Sequence, residues 1–287
     1  MSLEVDIISQ ITERFSALRD AEKKVAKLIM DDIQTAANAS ITELAESAEV
    51  SEATITRFAK AIGCKNVRDM KIKLAQTLTV GQRFILEPPD QGGYQGIYES
   101  IKQSLDINRS LINEQDVDQA VEWLHHARQI ITVGIGGGST IAAQEMQHRL
   151  FRLGYPIVAY NDGLLSRMVA ATADNNDVLV MLSATGYTPA IVETAELAKE
   201  YGIKVIAITP KSTPLSNVAD LTLPIEHQET DFIYKPSASR YAMLALVDVI
   251  SMALAVNHKR KSRDKLRRLK LALDSYRGGL ERQPLGD

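Results

Sequence analysis

Five short apolar segments, separated by stretches of helix length, constrain the fold of this chain more than any other feature. They cover residues 130–134, 156–160, 178–182, 204–209 and 221–225. Strands that are connected through helices run parallel, and a parallel sheet is covered on both faces, so its strands are apolar throughout. The pattern therefore predicts an α/β domain, a five-stranded parallel αβα sandwich with a layer of helices on each side of the sheet.

Two of these segments end in glycine and hydroxyl residues and then enter a helical pattern. The first continues as Gly134-Ile135-Gly136-Gly137-Gly138-Ser139, and the third as Ser183-Ala184-Thr185-Gly186-Tyr187-Thr188. Glycine lets the backbone approach an anion, and the N–H groups at the start of a helix point towards it. Because the carboxyl ends of parallel strands share one edge of a sheet, we predict that both junctions form a single phosphate site. Lysine does not follow the glycines, which excludes a Walker-type nucleotide loop and favours a small phosphorylated molecule.

The size and composition of the chain are those of a soluble protein with two domains. Its 287 residues, 45% of them hydrophobic and 24% charged, suffice for one sizeable core and a smaller second one. A single cysteine, Cys64, excludes an internal disulfide, and the adjacent His125 and His126 lack partners at metal-ligand spacing. The longest apolar segment, 241–256, contains Asp248 and is too short to span a bilayer. We expect a cytoplasmic protein without a metal or a cofactor.

Residues 1–78 show helical patterns and no strand pattern, which predicts an all-helical amino-terminal domain. Within it, residues 41–63 have the layout of a helix-turn-helix motif. We expect Thr42 to cap the first helix of the motif, Ser51 to cap the second, and Gly63 to end the second. The apolar residues expected to bury the second helix are Ile55, Phe58, Ala59 and Ile62.

The opposite face of that second helix carries the residues expected to meet DNA, since the start of a recognition helix reaches base edges and phosphates. Residues 53–81 hold six basic side chains and one acidic side chain, in a chain of net charge −3. Such a local excess marks a nucleic-acid surface, although a solvated face of an ordinary helical hairpin has the same composition. Glu52 repels phosphate, so its carboxylate is either turned away or accepts from a cytosine amino group. The predicted DNA-binding residues are Ser51, Glu52, Ala53, Thr54, Thr56, Arg57, Lys60, Lys71 and Lys73.

A segment rich in glycine and proline, residues 79–96, suits a linker between two domains. It separates the DNA-binding domain, residues 1–78, from a second domain, residues 97–287, that contains the predicted sheet. The second domain ends in a helical pattern at 259–274, whose leucines form an apolar stripe between basic residues. We expect this carboxyl-terminal helix to pack on a partner subunit or on the DNA-binding domain.

The motifs of both domains resemble the RpiR family of bacterial transcription regulators, in which a helix-turn-helix domain precedes a sugar isomerase (SIS) domain. In the first domain the resemblance rests on residues 50–58 followed by Gly63. In the second it rests on the two junctions and on Ser239-Arg240 before the last apolar helix. The resemblance implies a homodimer or homotetramer that binds a partly palindromic promoter operator, and a phosphorylated sugar that changes the affinity for DNA.

The resemblance also implies roles for individual residues of the second domain. Many family members have serine where this chain has Gly138, so either Ser139 supplies that hydroxyl or backbone N–H groups alone serve on that side. The implied phosphate-binding residues are Gly136, Gly138, Ser139, Ser183, Thr185, Gly186 and Thr188.

Residues 230–240 and the loop at 183–188 are most similar to the hexose-catabolism branch of the family. The effector in that branch is a phosphorylated keto-deoxy acid of the Entner–Doudoroff route. Lys235 or Arg240 would then bind the carboxylate of a sugar acid, or both would be ordinary surface charges.

Two other functions fit parts of the pattern. A sugar-phosphate isomerase needs a general base near the sugar, and Glu145 with His148, or Glu226 with His227, could supply one. Solvated or interface side chains are the commoner explanation of such pairs, and Tyr187 stands where these isomerases often carry glutamate. A dinucleotide-binding fold requires a third glycine where this chain has serine, and it gives the hydroxyl-rich loop no role. We therefore expect a regulator that is not an enzyme.

Overall fold

The amino-terminal unit is all-helical, as predicted. The computed structural model describes residues 6–85, 93–227 and 237–277, with the backbone alone over 79–85. The first unit, residues 6–85, contains α1 (Ile7–Arg14), α2 (Asp20–Asp31), α3 (Ile33–Asn38), α4 (Ile41–Ser47), α5 (Glu52–Ala61) and α6 (Val67–Ile85). Its core consists of fully buried apolar side chains, among them Ile11, Val25, Ile29, Ile55, Phe58 and Leu74.

Side-chain caps set where several of these helices begin. Each capping side chain accepts a hydrogen bond from the backbone N–H three residues further on. The caps of α1, α3, α4 and α5 are Asp6, Asp32, Ser40 and Ser51. The expectation that Thr42 caps α4 is therefore wrong. Ser40 and Glu43 form a capping box, in which Glu43 N–H donates to Ser40 Oγ (3.2 Å) and the Glu43 carboxylate accepts from Ser40 N–H (2.6 Å).

Five parallel strands form the sheet of the second unit, which confirms the predicted α/β class. They are β1 (Ile130–Gly134), β2 (Ile157–Tyr160), β3 (Val178–Leu182), β4 (Lys204–Thr209) and β5 (Leu221–Pro224). Their order across the sheet is β2-β1-β3-β4-β5, and Ile130 pairs with Ile157 on one side and with Val178 on the other. Every residue of β1 and β3 is buried, because both strands lie inside the sheet.

Helices cover both faces of this sheet. They are α7 (Gly93–Ser110), α8 (Glu114–His126), α9 (Gly137–Arg152), α10 (Gly163–Thr172), α11 (Pro189–Glu200), α12 (Pro214–Val218), α13 (Ser239–Asn257) and α14 (Lys259–Tyr276). Successive side chains of a strand point to opposite faces. Val178, Val180 and Leu182 share one cluster with residues of α8, α9 and α13. Leu179 and Met181 share the other with residues of α10, α11 and α12.

Helix α13 is a core helix. It is longer than the apolar segment identified at 241–256, and among the described residues it is the one helix long and apolar enough to cross a membrane. Eight of its residues are buried, and Met243, Val247 and Ile250 belong to the cluster against the sheet. The buried helix of a folded domain has the same composition, because it is apolar on most sides.

Part of the segment predicted as a linker, residues 79–96, is helical. Helix α6 continues to Ile85, and α7 begins at Gly93. Glycine inside a helix is less favourable than alanine by only about 1 kcal/mol, so a glycine-rich segment can still enter a helix at its ends.

Candidate functional site

The two glycine- and hydroxyl-rich junctions lie side by side at the carboxyl edge of the sheet. Strand β1 leads into residues 135–139, the glycine junction, and β3 leads into residues 183–188, the hydroxyl loop. These two strands are neighbours. The strand order is β2-β1-β3-β4-β5, so the connection after β1 leads to one side of the sheet and the connection after β3 leads to the other. The gap between β1 and β3 is therefore the topological switch point of the sheet. Open α/β sheets bind ligands at such a point, so the fold brings the predicted phosphate residues to a ligand-binding location.

The glycine junction turns sharply from β1 into α9. Gly136 has φ +92°, a conformation that favours glycine, and it immediately precedes α9. Gly134 cannot carry a side chain, because a Cβ there would stand 2.1 Å from the Ser139 carbonyl oxygen. Thr140 closes the turn by donating from Oγ1 to the Gly134 carbonyl oxygen (2.9 Å). The glycines therefore allow a tight turn at the start of the helix.

The hydroxyl loop folds around its own side chains. Ser183 is 2% exposed, and its Oγ accepts from the Gly186 N–H at 3.0 Å. Thr185 is exposed, and its Oγ1 accepts from the Tyr187 N–H at 3.3 Å. Thr188 is half-buried and directly precedes α11. Ser183 thus orders the loop from inside, whereas Thr185 and Thr188 lie nearer its surface.

Ser139 links the two junctions. Its side chain is buried, and its Oγ accepts from the Ala184 N–H of the hydroxyl loop at 3.4 Å. Gly138 packs against α13, where a Cβ on Gly138 would stand 3.2 Å from Arg240 Cβ. A serine at position 138 would crowd that helix, which gives a physical reason for the glycine. The hydroxyl of Ser139, the residue after Gly138, lies between the two junctions.

The helices that begin at these junctions lack the side-chain caps that three other helices of the same unit have. Asn113, Asp162 and Thr213 accept from first-turn N–H groups of α8, α10 and α12. Within the part of the chain that the structure describes, α9, α11, α13 and α14 have no such side-chain cap, and of these α9 and α11 begin side by side after neighbouring strands. Uncapped N–H groups at the positive end of a helix dipole suit an anion. A phosphate at this edge of the sheet would supply the missing acceptors.

The last residue of β4 and residues that follow this strand support the hydroxyl loop. Gly186 has φ +73°, and a Cβ on it would stand 2.3 Å from Thr213 Oγ1 and 2.7 Å from Thr209 Oγ1. The Gly186 carbonyl accepts from the Leu215 N–H at 3.2 Å. Thr209 is fully buried, and its hydroxyl has no hydrogen-bond partner among the described residues. Sequence analysis missed both threonines, because only tertiary packing brings them to Gly186.

Arg240 lies in the first turn of α13, beside the glycine junction. Its guanidinium donates to the Ser237 carbonyl (3.0 Å) and to the Tyr241 hydroxyl (3.2 Å), and it lies 4.7 Å from the centroid of the Tyr241 ring. These contacts hold the guanidinium against Ser237 and Tyr241, while the Arg240 Cβ is the part of the residue that lies beside Gly138. Lys235, the other predicted carboxylate ligand, lies outside the described residues.

Of the residues considered as a general base, Glu145 is paired, His148 and Glu226 are exposed, and His227 is half-buried. Glu145 and Asp248 both pair with the Arg149 guanidinium, at 2.6 and 3.2 Å. His148 is exposed on the same helix. Tyr187 is 63% exposed. The ion pairs of Glu145 favour a structural role for that residue.

Histidine and cysteine side chains form no metal site in the part of the chain that the structure describes. Cys64 is buried in the amino-terminal core. His125 stacks on His258, with ring centroids 3.3 Å apart, and its Nδ1 is 3.0 Å from the Tyr155 hydroxyl. Burial lowers the pKa of His125 below its usual value, and the nearby His258 and Lys261 lower it further.

The helix-turn-helix motif predicted at 41–63 consists of α4, a turn and α5. Ser51 caps α5 by accepting from the Thr54 N–H (3.3 Å), as predicted. Gly63 follows the helix with φ +91°. The apolar stripe is buried as predicted, with no exposed surface on Ile55, Phe58, Ala59 and Ile62.

The exposed face of α5 differs from the predicted one at Thr54. This residue is 5% exposed, and its hydroxyl bonds to Ser51 Oγ (3.0 Å) and Arg57 Nη2 (3.2 Å). The prediction that Thr54 lies on the exposed face is wrong, because the Thr54 side chain turns towards the capping residue Ser51. Glu52 accepts from Thr42 Oγ1 at 2.6 Å, which directs its carboxylate to α4. The exposed residues of this face are Ser51, Glu52, Ala53, Arg57 and Lys60, and Thr56 is half-buried.

Lys71 and Lys73 lie on α6, and both are half-buried. Lys71 lines a cavity of about 480 Å³ together with Arg68. Hydrogen bonds from Ser40 lower the pKa of Glu43, and the charge of Lys71 lowers it further. Lys71 therefore lies close enough to α4 to act on one of its carboxylates.

Two family models match the chain, one in each unit. The helix-turn-helix domain of the rpiR family matches residues 5–81, and the SIS domain matches residues 123–273. The HTH-type transcriptional regulator HexR of Pseudomonas aeruginosa is 35% identical over 273 residues, which are 93% of this chain and 95% of the relative. HexR of Escherichia coli is 34% identical over 278 residues, which are 95% of this chain and 96% of the relative.

The chain belongs to the RpiR family. It is a helix-turn-helix transcription regulator with a SIS domain, and its likeness to the two HexR proteins confirms the predicted hexose-catabolism branch. A solved structure of Vibrio vulnificus NanR in complex with ManNAc-6P has a TM-score of 0.60 and 24% identity, and the match covers 94% of this chain and 98% of NanR. That likeness supports the fold of this RpiR-family chain along nearly its whole length.

Proposed function

We propose that this RpiR-family regulator binds promoter DNA through α5 and holds a phosphorylated sugar or keto-deoxy sugar acid between the glycine junction and the hydroxyl loop. One observation carries the proposal: two helices without side-chain caps, α9 and α11, begin side by side at the switch point of the sheet. NanR, which shares the fold, was solved with a phosphorylated sugar. The effector class proposed for this chain is consistent with that complex.

The proposed phosphate site combines backbone N–H groups with hydroxyl groups. Ser183 accepts from Gly186 and keeps its own hydroxyl proton for donation. The carboxylate of a sugar acid would lie towards Arg240, with Lys235 as a second cation. The proposed phosphate ligands are Gly136, Gly138, Ser139, Ser183, Thr185, Gly186 and Thr188.

On the DNA side, Arg57 and Lys60 are exposed on α5 and are proposed to contact bases or phosphates. We propose that the functional form is a homodimer or homotetramer, so that two α5 helices meet successive major grooves of a partly palindromic operator. Such a regulator works in the cytoplasm, where the chromosome is. The further proposed contacts are Ser51, Ala53, Thr56, Lys71 and Lys73, whereas the Glu52 carboxylate is turned towards α4.

The effector acts only through different affinities for two arrangements of the regulator. A tenfold change in DNA affinity requires a difference of about 1.4 kcal/mol. Hydrogen bonds to a charged group contribute about 1.5–3 kcal/mol each, so a few contacts that differ between the two arrangements are enough.

The proposal includes binding of the sugar phosphate without turnover. Glu145 is paired with Arg149, and a general base must be free to take a proton from the substrate. An assay with hexose and keto-sugar phosphates tests this point. Sustained conversion that disappears in Glu145→Gln would show that the protein is an isomerase.

Two measurements test the main proposal. Selection of binding sequences from a random DNA pool should yield a partly palindromic operator. A thermal-shift screen against sugar phosphates, with and without that DNA, should identify a compound that raises the melting temperature and changes the affinity for the operator. A full-length protein that selects no sequence, or that responds to no phosphorylated sugar or sugar acid, would contradict the proposal.

A further inference from the structure

Two buried polar side chains fix α7 to the carboxyl edge of the sheet. Asn108 is 8% exposed, and Ser104 is 4% exposed. Just after β5, the Asn108 amide makes a two-way contact with Glu226: Nδ2 donates to the Glu226 carbonyl (2.9 Å), and Oδ1 accepts from the Glu226 N–H (2.8 Å). Ser104 Oγ donates to the Ala238 carbonyl at 3.4 Å, just before α13. Both partners are backbone groups: Ala238 lies two residues before Arg240, which packs against Gly138, and Glu226 follows the edge strand β5.

These contacts connect α7 to the glycine junction through α13. Ala238 is the residue that immediately precedes α13. Two positions later, Arg240 packs against Gly138 of the junction, and α7 itself packs on α13. Protein interiors are close-packed, so a displacement of α13 against the junction is transmitted to the elements packed on it. The buried contacts therefore form a continuous route from the proposed phosphate site to α7.

Helix α7 is also the element with which the chain enters the second unit. It begins at Gly93, shortly after α6 of the DNA-binding unit ends at Ile85. Rigid helices carry energetic coupling between distant sites when they have two arrangements. The position of α7 therefore determines where, on the second unit, the chain from the DNA-binding unit is attached.

The side-chain amide of Asn108 makes three hydrogen bonds, all to backbone groups. Its Nδ2 also donates to the Ser104 carbonyl within α7 (2.8 Å), so the amide is satisfied on both sides. Burying a carboxamide is unfavourable unless its donors and acceptors are paired, and an apolar residue would fill the same space without that requirement. The paired amide fixes the register of α7 against Glu226.

We propose that Asn108, supported by Ser104, is a positioning residue that couples effector binding to DNA affinity by holding α7 on α13 and on the carboxyl edge of the sheet. The inference rests on the proposed function. Asn108 itself contacts neither the effector nor the DNA in this proposal. Without its amide, the protein should still bind the effector and the operator, but the effector should no longer change the affinity for the operator.

The test compares full-length Asn108→Asp with Gln103→Glu, which makes the same chemical change at an exposed position of the same helix. The probe is 6-phosphogluconate, which carries a phosphate and a carboxylate. Calorimetry measures its binding, and fluorescence anisotropy measures affinity for the selected operator with and without it. We expect the wild type and Gln103→Glu to show an effector response of about tenfold, and Asn108→Asp a response below about twofold with each separate affinity nearly unchanged.

The outcomes separate this inference from the proposed function. A full response in Asn108→Asp overturns the positioning role, and so does a variant that folds but loses operator or phosphogluconate binding altogether. If Asn108→Asp does not fold, Ser104→Ala takes its place, with an expected reduction of the response by about threefold. An unchanged response in Ser104→Ala then overturns the inference. A wild-type protein that binds no operator, or that binds neither phosphogluconate nor any other phosphorylated sugar or sugar acid, contradicts the proposed function itself.

Discussion

Gly186 lies so close to Thr213 that a Cβ on Gly186 would stand 2.3 Å from Thr213 Oγ1. The hydroxyl loop that follows β3 is therefore seated on the residues that follow β4. Its shape depends on tertiary contact as well as on its own hydrogen bonds. Substitutions in the loop test whether this shape is needed for effector binding.

Gly186→Ala should destabilise the protein and abolish effector binding. Alanine at φ +73° is strained, and its methyl group also meets Thr213, so we expect a loss of about 3 kcal/mol in the free energy of unfolding. Gly202 is the matched control, since its φ is +74° and a Cβ there would have no atom within 4 Å. Gly202→Ala should cost about 1 kcal/mol and leave effector binding intact. Denaturant unfolding and calorimetry measure both quantities, and equal effects of the two variants would contradict the crowding argument.

Ser183→Ala should abolish the effector response and leave operator binding unchanged. It removes the acceptor of the Gly186 N–H, which costs about 1–3 kcal/mol when the group is buried. Ser251→Ala is the control, because it removes a buried hydroxyl that donates to Val247 O within α13. Anisotropy titrations with operator DNA, repeated with the effector, measure the response. Loss of operator binding together with the response would show that Ser183 is only structural.

Arg57→Ala and Lys60→Ala should each weaken operator binding and reduce its salt dependence. Each phosphate contact that is lost lowers the slope of log affinity against log salt by about 1. Lys24→Ala is the control, because Lys24 is exposed on α2 and pairs with Glu49 at 3.3 Å. Affinities measured over a range of salt concentrations give the slopes. A slope that stays at the wild-type value in Arg57→Ala and Lys60→Ala would place the DNA surface elsewhere.

The stability of the second unit should fall as the pH falls through 6.5. The pKa of His125 is lowered in the folded protein from the value of 6.5 expected when unfolded, so the unfolded chain binds the proton first. Acidification therefore favours unfolding, and protonated His125 would meet His258, His126 and Lys261, with Glu122 as the nearby opposite charge. Melting temperatures between pH 7.5 and pH 5.5 measure the effect.

His125→Gln should make that pH dependence shallower than in the wild type. His148→Gln is the control and should keep the wild-type profile, because His148 is exposed and is not among the charges that act on His125. Identical profiles in all three proteins would show that the stacked pair of His125 and His258 does not control the acid stability.

The sheet could be predicted closely from the sequence. Strands β1, β3 and β4 have the predicted bounds, because buried parallel strands are continuous apolar runs that end at glycine or hydroxyl residues. At the sheet edges, β2 begins one residue after Pro156, and β5 ends one residue before Ile225. Local patterning sufficed for these elements and for the location of both junctions.

Features that depend on packing could not be predicted in the same way. Helical spacing could have placed Thr54 on the buried side, since it lies four residues before Phe58, but its bond to Ser51 Oγ could not be predicted from spacing. The contacts of Gly138 with Arg240, and of Asn108 with Glu226, join segments about one hundred residues apart in the chain. Sequence patterns identified the glycines and hydroxyls of the site, whereas the residues that support them emerged only from the tertiary structure.

The most direct test of the account is a crystal structure of the full-length protein grown with the phosphorylated compound identified by thermal shift. We predict that its phosphate lies within hydrogen-bond distance of the glycine junction and of the hydroxyl loop, at the first turns of α9 and α11. A phosphate bound at another place in the second unit, with residues 183–188 free of ligand, would contradict the central claim.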